Sequence, residues 1–191
     1  MYCQLKKILP NVIHSDQTGF LKGRFIGENI RLALDVMEYV NSNNMGGLMF
    51  LIDFEKVFDK LEWSFLFNTL KMFNFGDNLI KWVKVFYHNI LSCVMNNGHS
   101  SDFLEISCGL RQGCPLSPLL YIICSEILNI HIRSDVNVKG INIMDKDIVL
   151  SAYADYTTLY LKDADSLSSV LNILKSFQLY YGLKINGKSV L

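Results

Sequence analysis

Apolar residues follow two different periods along this chain, and the mixture predicts an α+β fold. Ile26, Ile30, Ala33, Leu34, Met37 and Val40 recur at the spacing of one helical face. Leu48-Met49-Phe50-Leu51-Ile52 is an unbroken apolar run of strand length, fit for burial on both faces and ending at Asp53. Cys93-Val94-Met95 and Phe103-Leu104-Glu105-Ile106 flank Asn96-Asn97-Gly98-His99, and Asn-Gly between such stretches is a strong hairpin signal.

The remaining elements follow in order. Asn43-Asn44-Met45-Gly46-Gly47 breaks the first helix. Asp59 and Glu62 have capping-box spacing and are expected to open a helix carrying Trp63, Leu66, Phe67, Leu70 and Phe73. Gly76-Asp77 ends it and starts another, with Leu79, Ile80, Val83, Phe86, Tyr87 and Ile90. Beyond the hairpin, Arg111-Gln112-Gly113-Cys114-Pro115 reads as a loop. Ser117 followed by Pro118 predicts a cap and a first-turn proline. Residues 148–154 and 157–161 form a further expected hairpin with Asp155-Tyr156 at its tip. Asp165 is expected to cap a helix with Leu167, Val170, Leu171, Leu174 and Phe177 inward, ended by Gly182. Leu183-Lys184-Ile185 begins a last strand.

Composition narrows the function. The 191 residues are 50% hydrophobic, enough for one domain with a real core, and 12% aromatic, which argues against disorder. Eighteen basic residues balance eighteen acidic ones. Phosphate contacts dominate nucleic-acid affinity, so neutrality argues against strong autonomous binding while leaving room for local basic patches. The five cysteines are odd in number and show no zinc-type pair, which points to free thiols in a reducing, cytoplasmic or nuclear, compartment. The N-terminus lacks a signal peptide's apolar core. Residues 116–132, the longest apolar region, are broken by Ser125, Glu126 and Asn129 and predict a buried helix rather than a membrane span.

Two carboxylates carry the candidate chemistry. Asp53 and Asp155 each lie at the end of an expected buried strand. If those strands are sheet neighbours, both acids meet at one edge. Carboxylate oxygens suit Mg²⁺, which keeps open positions for phosphate and water. Two such ions about 3.5–4 Å apart can activate a hydroxyl and neutralise a leaving phosphate. Taken alone, either Asp is more often a cap or a turn residue.

Four strings bear on that choice: HSDQTGFLKGRFIGENIR, LIDFEKVFDKLEW, GLRQGCPLSPLLY and YADYTTLYL, in this order and separated by helical stretches. Together they resemble the reverse transcriptase domain of non-LTR (LINE-type) retrotransposons across nearly the whole chain. The resemblance implies a right-hand palm, a small mostly antiparallel sheet with helices on one face, plus part of the fingers and no thumb. It places a fingers part at about residues 1–47 and the palm at 48–191, with a fingers-type insertion near 60–106. It implies an RNA-directed DNA polymerase using Mg²⁺, or Mn²⁺, with an RNA template, a DNA primer and deoxynucleoside triphosphates as partners. A thumb and an endonuclease would belong to a full-length element. By the same resemblance Asp53 and Asp155 hold the metals, helped by the Phe54 carbonyl. Phe58 matches a steric gate beneath the sugar, against simple core packing. Gln112 and Gly113 match a loop contacting nucleotide and template, against a plain turn. Arg24 matches a fingers arginine aimed at triphosphate, against a solvated surface charge. Lys188 is a candidate acid for pyrophosphate departure, but one residue is missing between Asn186 and Lys188, which on a strand turns the side chain to the other face.

Tyr156 departs from the family's paired aspartates. A phenol is neutral at pH 7 and a poor Mg²⁺ ligand. With the shortened Asn186–Lys188 spacing and the early end, it predicts impaired chemistry. A catalytically dead remnant that at most binds nucleotide or RNA is the alternative, and an unrelated interaction module a third.

Overall fold

The computed structural model describes residues 1–181 and 184–185, with side-chain environments through residue 178. The chain opens with helix α1 (Tyr2–Val12), which buries Leu5 and Leu9 and contains Pro10. Helix α2 (Ile26–Ser42) leads to strand β1 (Leu48–Ile52), β2 (Phe54–Glu55) and the one-turn helix α3 (Val57–Lys60). Helices α4 (Trp63–Met72) and α5 (Asp77–Phe86) follow, then the short strands β3 (Leu91–Ser92), β4 (Met95–Asn96), β5 (His99–Ser100) and β6 (Leu104–Glu105). Helix α6 (Leu116–Ser134) is buried around most of its circumference. Strands β7 (Ile141–Ile143), β8 (Lys146–Ile148), β9 (Leu150–Tyr153) and β10 (Tyr156–Leu161) precede helix α7 (Ala164–Tyr181) and β11 (Lys184–Ile185).

The central sheet has the order β1-β10-β9 and is antiparallel throughout. Phe50, Ile52, Leu159 and Leu161 face the main core, where α6 lies with α1, α4 and α7. Tyr160 turns to the opposite face and joins Val36 of α2 and Ile141 in a smaller cluster. One-residue alternation thus supplies two apolar faces to a three-stranded sheet. Outside the sheet, β2 pairs β11, β3 pairs β6, β4 pairs β5 and β7 pairs β8.

Several local expectations are corrected. Strand β1, at the edge of the central sheet, is half buried, with Leu48 and Leu51 exposed. Asp59 lies inside α3 rather than capping α4, whose N-cap is Glu62 without a side-chain bond. Ser117 sits inside α6 and its hydroxyl donates to the Arg111 carbonyl at 2.7 Å. Asp163, not Asp165, serves the start of α7, accepting from the Ser166 N–H at 2.8 Å and the Ser166 hydroxyl at 2.7 Å. In the catalytic-candidate hairpin Tyr153 pairs Tyr156, so the two-residue tip is Ala154-Asp155 and Tyr156 begins the returning strand. Leu171 is partly exposed while Val170, Leu174 and Phe177 are buried. The apolar stripe Ile26, Ile30, Leu34 and Met37 of α2 is exposed, and Val36 is the buried residue of that helix. Gly182, Leu183 and Lys188 lie outside the described residues. No described helix is long and apolar enough to cross a membrane, and all five cysteines are free.

Candidate active site

Antiparallel pairing puts the two acids at one end of the sheet. Ile52 of β1 faces Thr157 of β10, Asp53 follows Ile52, and Asp155 stands two residues before Thr157. Burial pushes the Asp155 carboxyl above the usual carboxylate range, its own backbone N–H opposes this, and the Asp53 charge adds to the rise. Beneath them lies Tyr121 of α6, fully buried, its phenol pushed far up by burial first and then by Asp155, Cys124 and Asp53. Two carboxylates over a phenol form a compact anionic corner, and such a corner suits a divalent cation. Among the described residues no group of three or more Asp, Glu, His or Cys side chains could share a metal. Tyr156, which follows Asp155, is 61% exposed.

Phe54 is buried and paired through its backbone to Ile185. Phe58 is half-buried, its ring centroid 5.1 Å from that of Tyr121, and its carbonyl accepts from the Leu110 N–H at 2.5 Å. Its ring therefore both packs on the core and lines a cleft of about 370 Å³ with Arg111, Gln112, Gly113, Cys114, Pro115, Ser117 and Pro118. Gln112 is fixed by a bond from its Nε2 to Asp59 Oδ1 at 2.9 Å. Gly113 has φ 78° and open space where a Cβ would stand, so its backbone can be approached closely. The loop is pinned behind by Trp63, whose Nε1 donates to the Gly109 carbonyl at 2.7 Å. Gly109, at φ 90°, has no room for a Cβ, which would stand 2.7 Å from the Asp59 carbonyl oxygen.

Arg24 is placed differently from the expected triphosphate arm. Its guanidinium donates to the carbonyls of His14 at 2.6 Å, Gln17 at 2.7 Å, Pro10 at 3.0 Å and Ile13 at 3.2 Å. It closes the C-terminal end of α1, where unpaired carbonyls need donors. Those bonds would have to break before Arg24 could meet a phosphate.

One contributor escapes the sequence reading. The Gln17 side chain is fully buried and bonds both polar groups of Ala154, the residue before Asp155. It sits in the quoted HSDQTGF string, but nothing in its neighbours signals a partner 137 positions away.

Residues 1–188 match the family described as reverse transcriptase (RNA-dependent DNA polymerase). The chain belongs to the reverse transcriptase family. It is 32% identical over 84% of its length to the Transposon TX1 uncharacterized 149 kDa protein of Xenopus laevis. It is 24% identical over 96% of its length to a Retrovirus-related Pol polyprotein from type-2 retrotransposable element R2DM of Drosophila melanogaster. The chain spans 12% of the first relative and 18% of the second. These matches make it a reverse transcriptase domain of the non-LTR retrotransposon kind. Solved structures share the fold: apo telomerase from Candida tropicalis, truncated from its C-terminal domain, has TM-score 0.70 at 16% identity, covering 99% of this chain and 38% of that one. Telomerase from Candida albicans, in complex with a fragment of telomeric RNA, has TM-score 0.70 at 13% identity, covering 99% of this chain and 34% of its own. The α+β palm with part of the fingers is thus the fold of this reverse transcriptase domain.

Proposed function

We propose that this reverse transcriptase domain extends a DNA primer on an RNA template, and that Tyr156 slows its chemistry. Residues 1–47 act as part of the fingers and 48–191 as the palm, which carries a fingers-type insertion near residues 60–106. The observation that carries the reading is the meeting of Asp53 and Asp155 at one end of the β1–β10 pair. Their donor chemistry fits Mg²⁺ or Mn²⁺, which when bound would offset the charge of a triphosphate and acidify a primer hydroxyl. The Phe54 carbonyl is a further oxygen beside Asp53.

The other residues position the substrates. The primer 3′-hydroxyl attacks the α-phosphate of a deoxynucleoside triphosphate, and pyrophosphate leaves. Phe58, backed by Tyr121, floors the sugar side of the cleft and excludes a 2′-hydroxyl. Gln112 and Gly113 present an anchored amide and an open backbone to base and template. With reacting atoms held in line, positioning supplies much of the rate. A neutral phenol at 156 leaves one fewer oxygen anion to hold an ion near the primer, so nucleotide binding suffers less than chemistry. A remnant that only binds nucleotide or RNA is not favoured by the matches to the reverse transcriptase family over residues 1–188.

Primer extension on an RNA template tests this, with Mg²⁺ or Mn²⁺. Tyr156→Asp is expected to extend about a hundredfold faster than the native chain, with dNTP KM changed far less. Equal, robust extension by both would remove Tyr156 from the account. Extension that survives Asp155→Asn would remove the polymerase reading itself.

A further inference from the structure

We propose that Gln17 is a positioning residue for catalysis: its buried amide fixes the Ala154-Asp155 turn and so aims the Asp155 carboxylate. The inference rests on the polymerase reading and adds a residue to it.

The turn needs outside help. Tyr153 pairs Tyr156, leaving a two-residue connection in which Ala154 has φ 56°. Left-handed backbone at a residue with a Cβ costs about 1–2 kcal/mol, which is why glycine is usual in such tight connections. A strained conformation persists only where its surroundings over-determine it. Here Gln17 Oε1 accepts from the Ala154 N–H at 2.9 Å and the Gly19 N–H at 2.8 Å, and Gln17 Nε2 donates to the Ala154 carbonyl at 3.2 Å. One side chain therefore holds both ends of the strained residue. A buried amide is costly unless bonded, and these three bonds all go to backbone at this tip or beside it.

Gln17 is itself held. Its backbone forms a parallel bridge to Ala152, flanked by Thr18 N–H to Ala152 O and Ala152 N–H to Asp16 O, both at 2.8 Å. Arg24 grips its carbonyl at 2.7 Å. Gly19 completes the seat: a Cβ there would meet the Ala154 backbone N, and would lie 3.0 Å from its Cα. Asp155 is the next residue along the chain, so any rotation about the Ala154 backbone swings its carboxylate. Misplacement by about 1 Å is enough to cost a hundredfold in rate.

The test compares the Tyr156→Asp chain with variants of it that add Gln17→Met, or Gln17→Met plus Ala154→Gly. Three measurements are made: primer extension, Mn²⁺ titration by electron paramagnetic resonance, and amide hydrogen exchange. Gln17→Met is expected to speed exchange of the Ala154 N–H while α6 stays protected. It should lower kcat about tenfold or more, weaken Mn²⁺ binding, and leave dNTP KM within about twofold. Ala154→Gly should recover part of the loss, because glycine adopts the turn without the clamp. Unchanged kcat and Mn²⁺ binding would overturn the proposal. So would equal loss of protection in α6, which would make Gln17 a general core residue. A Tyr156→Asp parent that neither extends primers nor binds Mn²⁺ defeats the polymerase reading instead. Exchange at Ala154 then still decides whether Gln17 fixes the turn.

Discussion

Two hairpins of this chain each turn in two residues, and they solve the same problem by opposite means. Between β4 and β5 the tip is Asn97-Gly98, at φ 49° and 82°, with open space around Gly98. Asn and Gly adopt left-handed backbone readily, so the turn is written locally. Between β9 and β10 the tip is Ala154-Asp155, with Ala154 at φ 56°. No local preference favours that choice, and a glutamine from the far end of the chain enforces it. A turn that only connects is left to its own residues. A turn that carries a carboxylate is held from behind.

The difference can be broken or sharpened by substitution. The largest effect belongs to chemistry: Asp53→Asn in the Tyr156→Asp chain should cut primer extension about a thousandfold, some 4 kcal/mol of barrier. Asn97→Ala at the other tip should leave the rate within about twofold, and a comparable loss there would erase the distinction. Next, Gly19→Ala pushes a Cβ against Ala154 and should destabilise the fold by about 2 kcal/mol in urea, with extension falling in step. Gly98→Ala places a Cβ at φ 82° and should cost about 1 kcal/mol, seen as faster exchange in β4 and β5 with extension unchanged. Ala154→Gly alone should raise stability by about 0.5 kcal/mol, since the left-handed strain disappears while backbone freedom rises.

A buried ion cluster away from both tips gives the smallest expected change. Glu126 faces Arg133, which also meets Asp16 at 2.7 Å, while His14 meets Asp16 at 3.0 Å. Burial raises the Glu126 carboxyl above its ordinary range, with the Arg133 charge and bond opposing and Asp16 reinforcing. The folded state thus binds this proton more tightly than the unfolded chain. Its contribution is full at acid pH and fades as pH rises through the raised value. Urea unfolding followed upward from the ordinary glutamate value, about pH 4.3, should show that decline, and Glu126→Gln should flatten it.

Much of the architecture could be read from the residues because its signals are local. Helical periodicity located α2, α4, α5 and α7, and the apolar run at Leu48–Ile52 located β1. The Asn-Gly pair located its hairpin, while β7 and β8 were missed because Met144-Asp145, both at positive φ, carry no such mark. Helix α1 was missed because it shows the core only Leu5 and Leu9 and holds Pro10. Caps misled where two candidates lay close: Asp163 and not Asp165, and Ser117 bonded back to Arg111 rather than forward to its helix. As candidates, Asp53 and Asp155 were picked out as strand-end acids, and Phe58, Gln112, Gly113 and Arg24 through their motifs. The bonds Arg24 makes were not legible, because its four carbonyl partners come together only when α1 folds back. Gln17 escaped for the same reason, its target being fixed by the tertiary fold alone.

The register of the central sheet bears on how the protein is born. Residues 48–52 wait for residues 157–161, so a chain leaving the ribosome holds its first central strand without a neighbour until the last third emerges. Distant pairings of this kind close slowly and leave apolar edges open meanwhile. The acids, carried on that final pairing, would then be among the last features to assemble, so nascent chains cut short of β10 should possess helices without the paired acids.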